Sequence, residues 1–276
     1  MSGGQDRITR WLYGTAPGRA LLPLLIRPAV SRLGGWFLDR GLSRLLIRPF
    51  VRSSCIPLSD YPPRHYRSFN DFFTRTILPE KRPVDPRTQV LVAPCDGRLT
   101  VYPIEEDSRF TVKGVSYTLP QLLRDPALAG RFSGGTLLLF RLSVSDYHRY
   151  IWSMDGVPEA YIRIPGVYHT VHPTAAAARA IYRENTREYT LQHTDCFGDV
   201  AVMEVGALLV GRIENHPLSS RVTRGQEKGF FAYGGSTILM LLEPGRVKMD
   251  QDLLDRSVRD QETPVRLGQA IGHARG

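Results

Sequence analysis

The chain has 276 residues, of which 42% are hydrophobic and 23% charged, and it contains three cysteines. This composition excludes a collagenous, low-complexity or disordered chain, and the length favours one large globular core with a terminal appendage. The cysteines are odd in number, far apart and without a CxxC pair. We therefore expect free thiols in a reducing compartment, and neither a disulfide framework nor a metal site.

Positive charge is concentrated at the N-terminal end. The net charge of +9 is carried by residues 1–82, which hold 14 Lys and Arg against 5 Asp and Glu. Within residues 1–60, apolar and basic side chains separate onto opposite faces of a helix with a period of about 3.6 residues. The clearest run has Phe37, Leu38, Leu42, Leu45 and Leu46 on one face and Arg40, Arg44 and Arg48 on the other.

Residues 1–60 are open to two interpretations. Basic amphipathic helices with aromatic anchors are typical of segments that lie in the headgroup layer of an anionic membrane. The alternative is a helical layer packed on the protein's own core. A nucleic-acid partner is not expected, because it would use the charge and leave the apolar faces without a purpose.

A membrane-spanning segment is not expected either. The longest apolar run near the N-terminus, Ala20–Ile26, is interrupted by Pro23 and is too short to cross a bilayer. The first residues also lack the ordered basic, apolar and small-residue regions of a cleavable signal peptide.

From Leu91 onward the sequence favours β structure. Short apolar runs rich in β-branched and aromatic residues alternate with Gly, Pro and Asp, which predicts an antiparallel or mixed sheet and not repeated βαβ units. Helices are predicted near 118–130 and 173–183, the second starting at Pro173. The expected fold class is α+β, a β-rich catalytic core with N-terminal amphipathic helices.

Three reactive side chains occur beside tight turns: Asp96, His148 and Ser236. An acid, a histidine and a serine far apart in sequence are compatible with triad chemistry, in which the acid orients a base that deprotonates the hydroxyl. However, Ser236 lacks the G-x-S-x-G setting of an α/β-hydrolase. It follows Gly234 and Gly235 and precedes an apolar strand, so its hydroxyl could attack the unhindered carbonyl of Gly235. The pattern therefore indicates a self-cleavage site.

Seven blocks in this order make the chain resemble the phosphatidylserine decarboxylase family over roughly residues 60–248. They are YRSFNDFFTRTILPEKRPVD (66–85), APCDG (93–97), KGVSYTLPQLL (113–123), DYHRY (146–150), IPGVYHTVHP (164–173), FGDVAVMEVGALLVGRI (197–213) and KGFFAYGGSTILML (228–241).

This resemblance implies an activity and a cofactor. In the family, the serine attacks the preceding carbonyl, the ester eliminates, and loss of ammonia leaves an N-terminal pyruvoyl group that serves as an electron sink for decarboxylation. Carried over, Ser236 becomes the pyruvoyl group, residues 1–235 the β chain and 236–276 the α chain of a decarboxylase domain spanning 61–276. The implied reaction is the decarboxylation of phosphatidylserine to phosphatidylethanolamine. The implied location of the enzyme is peripheral, on the cytoplasmic side of the cell membrane. Homodimers are common in the family.

The resemblance also suggests roles for individual residues. Asp96 and His148 match the family's acid and histidine, with His148 transferring protons and Asp96 orienting a histidine. Many members have a second histidine where this chain has Ile151. His169 is a candidate substitute base, on a strand expected to return beside His148, and His148 acting alone is the alternative.

Other positions have weaker signals. His172, next to Pro173, is expected to start a helix. Phe72 is a candidate for the substrate entrance, and Val167 and Tyr168 for the border of the pocket. Two functions from other classes stay open: a serine hydrolase using Asp96, His148 and Ser236, and a non-catalytic module that binds anionic lipid.

Overall fold

The computed structural model describes residues 2–208, 212–232 and 236–275, and these contain about equal amounts of helix and strand. Three short 3₁₀ helices supplement the α-helices at Gly41–Leu46, Leu58–Asp60 and Pro79–Lys81. The α-helices in chain order are α1 Ser2–Gly14, α2 Ala16–Leu25, α3 Pro28–Leu38, α4 Ile47–Ser54, α5 Phe69–Phe73, α6 Leu119–Leu123, α7 Pro126–Gly130, α8 Pro173–Ala178, α9 Ile181–Glu184 and α10 Gln251–Val258.

The strands form one large sheet and three small ones. In chain order they are β1 Val90–Val92, β2 Gly97–Pro103, β3 Arg109–Val112, β4 Val115–Thr118, β5 Thr136–Leu142, β6 Arg149–Ile151, β7 Gly156–Pro158, β8 Ile162–Ile164, β9 Arg187–Thr194, β10 Asp199–Val205, β11 Ile213–Asn215, β12 Glu227–Phe231, β13 Ser236–Leu242, β14 Val247–Met249, β15 Thr263–Val265 and β16 Ala270–Ala274.

The large sheet has eight strands in the order β15-β2-β5-β13-β10-β9-β7, with β8 also paired to β9. The smaller sheets are β1-β16-β14, β11-β12-β6 and the hairpin β3-β4, and every ladder is antiparallel. The expected α+β class, with an antiparallel core and N-terminal helices, is therefore confirmed.

The central strand β13 is buried along its whole length, so its alternating side chains supply two separate cores. Ile238, Met240 and Leu242 point to one side, defined here as face A, where they pack with Tyr150 of β6 and Phe231 of β12. Leu239 and Leu241 point to the other side, face B. The partners on face B come from the N-terminal helices and from α8 and α9, and include Leu12, Leu22, Ile26, Ala175 and Ile181.

The N-terminal segment is helical as expected, but the periodic run of residues 37–48 does not form one continuous α-helix. Helix α3 ends at Leu38, and a 3₁₀ helix occupies Gly41–Leu46 before α4 begins. The break has a tertiary cause, because Ser43 Oγ donates to the carbonyl of Leu38 at 2.9 Å and accepts from the backbone amide of Phe69 at 2.9 Å. Anchoring to α5 thus overrides the local helical period.

The helices predicted near 118–130 and 173–183 are both present, and each is divided in two. The first divides at Arg124, which has a left-handed backbone, and Asp125 then caps α7 by accepting from the amide of Leu128. Helix α8 starts as predicted, with Pro173 in its first turn and the His172 side chain accepting from the amide of Thr174.

Candidate active site

One end of the large sheet brings distant parts of the sequence together. Ser236 of β13 pairs with Leu142 of β5, and β5 pairs with β2, whose first residue, Gly97, follows Asp96. Because Arg98 pairs with Arg141, the start of β2, the end of β5 and the start of β13 lie side by side. The sheet therefore places Asp96 and Ser236 at the same end of its strands.

Ser236 is fully buried at the start of β13. By strand alternation its side chain points to face A, the side of Ile238. Among the described residues, none provides a hydrogen-bond partner for its Oγ atom. A buried hydroxyl without a partner is costly and uncommon in a folded protein, and such exceptions concentrate at functional sites. Gly235, the other side of the predicted scissile bond, lies outside the described residues.

His148 is also fully buried, and it lies two residues before Tyr150, whose side chain belongs to the face A cluster. Its Nδ1 atom is 2.9 Å from the carbonyl oxygen of Asp146, and its ring packs on Phe73 with centroids 4.3 Å apart. A carbonyl can only accept, so Nδ1 carries the proton in the neutral ring and the lone pair resides on Nε2. This tautomer is the one that a general base requires.

The backbone places His148 next to the segment that leads to Ser236. The amide of Phe231, at the end of β12, donates to the carbonyl of His148 at 2.9 Å. The turn before His148 starts directly after Leu142, the partner of Ser236, and is closed by the amide of Ser143, which donates to Asp146 Oδ2 at 2.6 Å. His148 is therefore connected to β12, which precedes the predicted cleavage site, and follows the turn after β5, whose last residue pairs with Ser236.

Asp96 forms an ion pair with an arginine in this structure. Arg82 approaches its carboxylate with Nε at 2.8 Å from Oδ1 and an Nη atom at 2.5 Å from Oδ2, and the amide of Leu267 also donates to Oδ1 at 2.9 Å. Asp96 nevertheless lies near the turn before His148. Burial raises the pKa of Asp146, and the Asp96 charge adds a smaller contribution in the same direction.

His169 lies on the opposite side of the sheet, with the face B cluster. Its Nδ1 atom is 3.0 Å from the hydroxyl of Tyr13 on α1, and its Nε2 atom is 3.1 Å from the carboxylate of Glu184. The backbone of His169 is fixed by Asn185, which accepts from its amide at 2.8 Å. Burial lowers the pKa of His169, and the Glu184 carboxylate opposes this shift. Both ring nitrogens thus contact groups other than Ser236.

The expectation that His169 returns on a strand beside His148 is wrong. Strand β8 ends at Ile164, and the chain then runs without a strand to α8. Both β7 and β8 pair with β9, and so the segment after them is directed towards face B and the N-terminal helices.

The predicted substrate-contacting residues occupy two different places. Phe72 on α5 is buried against Phe50 and Tyr66, with the Arg75 guanidinium 4.6 Å from its ring centroid. Val167 lines a cavity beside α2, together with His169. Tyr168 is buried, and its amide donates to the carbonyl of Ile26 at the end of α2.

Sequence reasoning missed a buried polar cluster next to Ser236. Lys228 of β12 and Glu204 of β10 form a fully buried ion pair, with 2.8 Å between Nζ and Oε1. Asn215 of β11 joins them, accepting from Lys228 Nζ at 3.0 Å and donating to Glu204 Oε2 at 3.1 Å. Glu204 pairs with Ile238 on face A, so the cluster and the Ser236 side chain share one side of the sheet. The signal in the sequence was a charged residue next to apolar ones in each strand: Lys228 before Gly-Phe-Phe in β12, and Glu204 between Met203 and Val205 in β10.

Comparison with known proteins places these features in a family. The phosphatidylserine decarboxylase profile matches residues 69–273. Among curated relatives, phosphatidylserine decarboxylase proenzyme 2 of Clostridium acetobutylicum is 41% identical over 95% of this chain and 90% of its own length. Phosphatidylserine decarboxylase proenzymes of Desulfitobacterium hafniense and Chlamydia trachomatis are 38% and 39% identical, covering 97% and 96% of this chain and 92% and 90% of their own. The resemblance seen in the blocks is confirmed and extends over almost the whole sequence.

Proposed function

We propose that this chain, which belongs to the phosphatidylserine decarboxylase family and converts phosphatidylserine to phosphatidylethanolamine, does so with a pyruvoyl group that it makes from Ser236. The word proenzyme in the names of its relatives implies a maturation step. The observation that carries the proposal is the Ser236 hydroxyl, which is buried at the start of β13 without a hydrogen-bond partner in the described parts of the chain.

The residues present fit the formation of this group. In the proposed maturation, Ser236 Oγ attacks the carbonyl carbon of Gly235 and the peptide nitrogen leaves, which gives an ester. Elimination releases the Gly235 carboxylate, and water then replaces the nitrogen of residue 236 with a ketone oxygen and releases ammonia. The first step needs a base for the hydroxyl proton, and a dry setting limits competing hydrolysis of the ester. Ser236 and His148 are both fully buried, which meets the second need.

We assign the role of base to His148. Its neutral ring has the lone pair on Nε2, and its backbone bonds to Phe231, whose side chain belongs to the face A cluster towards which Ser236 points. Imidazole titrates near neutral pH, so the same ring suits removal of the serine proton and delivery of a proton after carbon dioxide leaves. The bound pyruvoyl group would supply the electron sink for the bond to the carboxylate. Asp96 would act through Arg82 and the nearby turn, as a positioning residue.

The substrate is a lipid, and the N-terminal segment provides a surface suited to a peripheral membrane location. Among the residues that the structure describes, ten of the fourteen large exposed hydrophobic ones occur before residue 47, namely Ile8, Trp11, Leu21, Leu24, Leu33, Trp36, Phe37, Leu42, Leu45 and Leu46. Arginines lie among them, one of which, Arg40, stacks 4.6 Å over the ring of Trp36. No helix in the described ranges is long and apolar enough to cross a bilayer. This mixture of apolar and basic side chains favours the headgroup layer of an anionic membrane, on the cytoplasmic side.

Denaturing mass spectrometry of the purified protein tests the proposal. We expect two chains, 1–235 and 236–276, the second with a pyruvoyl-blocked end, together with conversion of phosphatidylserine to phosphatidylethanolamine. Ser236→Ala should leave one intact chain without activity, since the nucleophile is removed. An intact 31.1 kDa wild-type chain would contradict the proposal. Such a chain would favour a serine hydrolase if an acyl-serine probe labelled Ser236, or a lipid-binding module if the probe did not react.

A further inference from the structure

A cavity of about 470 Å³ lies on face B between helix α2 and residues 165–184. Its size is within the usual range for small-ligand sites. The apolar part of its wall is formed by Leu22, Pro23, Ile26 and Val167. The polar part of the wall includes Arg19, Arg124, His169, Arg179, Arg183 and Glu184.

Four arginines with exposed side chains converge on this cavity from three parts of the chain. Arg19 donates to the carbonyl of Gly14 and Arg183 to the side-chain oxygen of Gln121, both neutral acceptors. Within the described ranges, none of the four forms an ion pair with a carboxylate. The one acidic residue in the lining is Glu184, and His169 lies 3.1 Å from its carboxylate. The cavity therefore has a surplus of positive charge.

A buried cation behind the wall adds to this surplus. Arg187 is fully buried, and its guanidinium donates to four backbone carbonyls, those of Gln121, Leu122, Arg183 and Asn185. No carboxylate in the described residues pairs with it. Burial, and after it the nearby Arg124 charge, lowers the pKa of Arg187 to about 10. A buried charge without a counterion is unfavourable unless something outside offsets it.

The chemistry of the lining selects the kind of anion. Guanidinium groups present planar sets of donors that match phosphate oxygens in pairs, and they are more weakly hydrated than ammonium groups. The apolar wall next to them suits the glycerol carbons that follow a headgroup phosphate. Helix α2, which supplies Leu22, Pro23 and Arg19, also presents exposed Leu21 and Leu24, so the cavity adjoins the surface assigned to the membrane.

We propose that this cavity is an anion site, separate from Ser236, which binds the phosphate group of a phospholipid headgroup or free phosphate. Its lipid form rests on the proposed membrane location, and it would fix the orientation of the enzyme on the bilayer. The separation follows from the sheet, because Ser236 points to face A and the cavity lies on face B.

Binding of the full-length protein to vesicles provides the test. The vesicles contain phosphatidylcholine and phosphatidylglycerol at 7:3, so they carry anionic phosphate but no substrate, and binding does not depend on conversion of Ser236. In the lipid form, Arg179→Ala/Arg183→Ala should weaken binding about 30-fold. The matched control is Arg256→Ala/Arg259→Ala, which removes the same amount of charge. These two arginines lie on α10 and directly after it, and α10 packs against face A through Leu253. We expect a change of at most about 2-fold for it, because distant exposed charges are screened.

A second arm distinguishes the source of the phosphate. Inorganic phosphate should raise the Tm of the wild type and of the control variant, but not of Arg179→Ala/Arg183→Ala, if the site takes the free anion. If only the vesicle arm separates the two variants, the ligand is the lipid headgroup. Arg179→Lys/Arg183→Lys, which keeps the charge but not the paired donors, should give an intermediate affinity for either ligand. The proposal would be overturned if Arg179→Ala/Arg183→Ala and the control variant had the same vesicle affinity and the same Tm response to phosphate. If the wild type also bound the vesicles in that case, the protein would have a general membrane-binding surface and no anion site in this cavity.

Discussion

The two faces of the large sheet bury charge in different ways. On face A, the lysine and glutamate of the β12–β10 pair neutralise each other, with 2.8 Å between their charged atoms and Asn215 satisfying both. On face B, the buried cation Arg187 is held by neutral carbonyls, and four further arginines surround an open cavity.

The site on face A is therefore closed to solvent, and the cavity on face B is open to it. On face A the charges of Lys228 and Glu204 balance each other within the protein, which suits a dry site where one hydroxyl and one imidazole must keep a fixed geometry. Face B has a positive surplus at the surface, which suits an external anion. The same contrast applies to the two candidate bases, since His148 belongs to the closed side and His169 to the open side.

The largest expected effect separates the two histidines. We predict that His148→Ala slows appearance of the 236–276 chain by about 100-fold or more, the usual contribution of a general base. His169→Ala should still be cut, because its ring nitrogens contact Tyr13 and Glu184. Time courses on denaturing gels would measure both rates, with circular dichroism confirming that each variant folds. Loss of cleavage in the His169 variant alone would reverse our assignment.

The next effect concerns the balanced charges of face A. Lys228→Met should lower the free energy of unfolding by about 3–5 kcal/mol, because it leaves the Glu204 carboxylate buried without its counterion. The double variant Lys228→Met/Glu204→Met should recover much of this loss, since two apolar side chains of similar length replace the pair. Urea unfolding of the Ser236→Ala chain and of these variants made in it avoids the complication of a cut chain. A double variant less stable than the single one would contradict the expected neutralisation.

A smaller loss of unfolding free energy is expected when Asp96, at the end of the sheet near Ser236, is replaced. Asp96→Asn should cost about 2 kcal/mol of unfolding free energy, because the charge-assisted bonds from Arg82 are weakened. Arg82→Met measured alone and together with it completes a double-mutant cycle, whose coupling energy reports the pair directly. If Asp96→Asn blocked self-cleavage while stability stayed unchanged, Asp96 would act on the reacting groups and not as a positioning residue.

The smallest effect is a pH dependence on face B. The pKa of His169 is lowered chiefly by burial, so the unfolded chain takes up a proton at higher pH than the folded one. Stability is therefore lost as the pH falls from the ordinary histidine pKa, near 6.5, through the lower folded value. His169→Gln should lose less stability than the wild type over this window, whereas His65→Gln, at an exposed position, should follow the wild type. Parallel slopes for all three proteins would rule out this contribution.

Much of the fold could be predicted from local pattern. Short apolar runs between frequent turn residues identified the strands, and Pro173 located the start of α8. Less could be predicted where tertiary contacts decide. Ser43 binds across to the amide of Phe69 and interrupts the periodic run of residues 37–48, and no local period encodes that contact.

The candidate site shows the same limit. The blocks around Ser236, His148 and Asp96 could be found in the sequence because each has its own short pattern. The side of the sheet on which His169 lies depends on which strand pairs with β7 and β8, and this is a property of the whole topology. The partner of Asp96 was missed for a related reason, since Arg82 directly follows the short 3₁₀ helix Pro79–Lys81 and no periodic pattern predicts where its side chain lies.

The position of β13 determines what self-cleavage would do to the molecule as a whole. The segment that starts at Ser236 supplies the central strand between β5 and β10, and its later strands β15 and β16 pair with β2 and β1. A cut at this point would leave the two fragments interlocked through four ladders, without a covalent link. Unfolding would then release two molecules from one, so the melting temperature of the matured protein should rise with protein concentration, while that of the uncut Ser236→Ala chain should not.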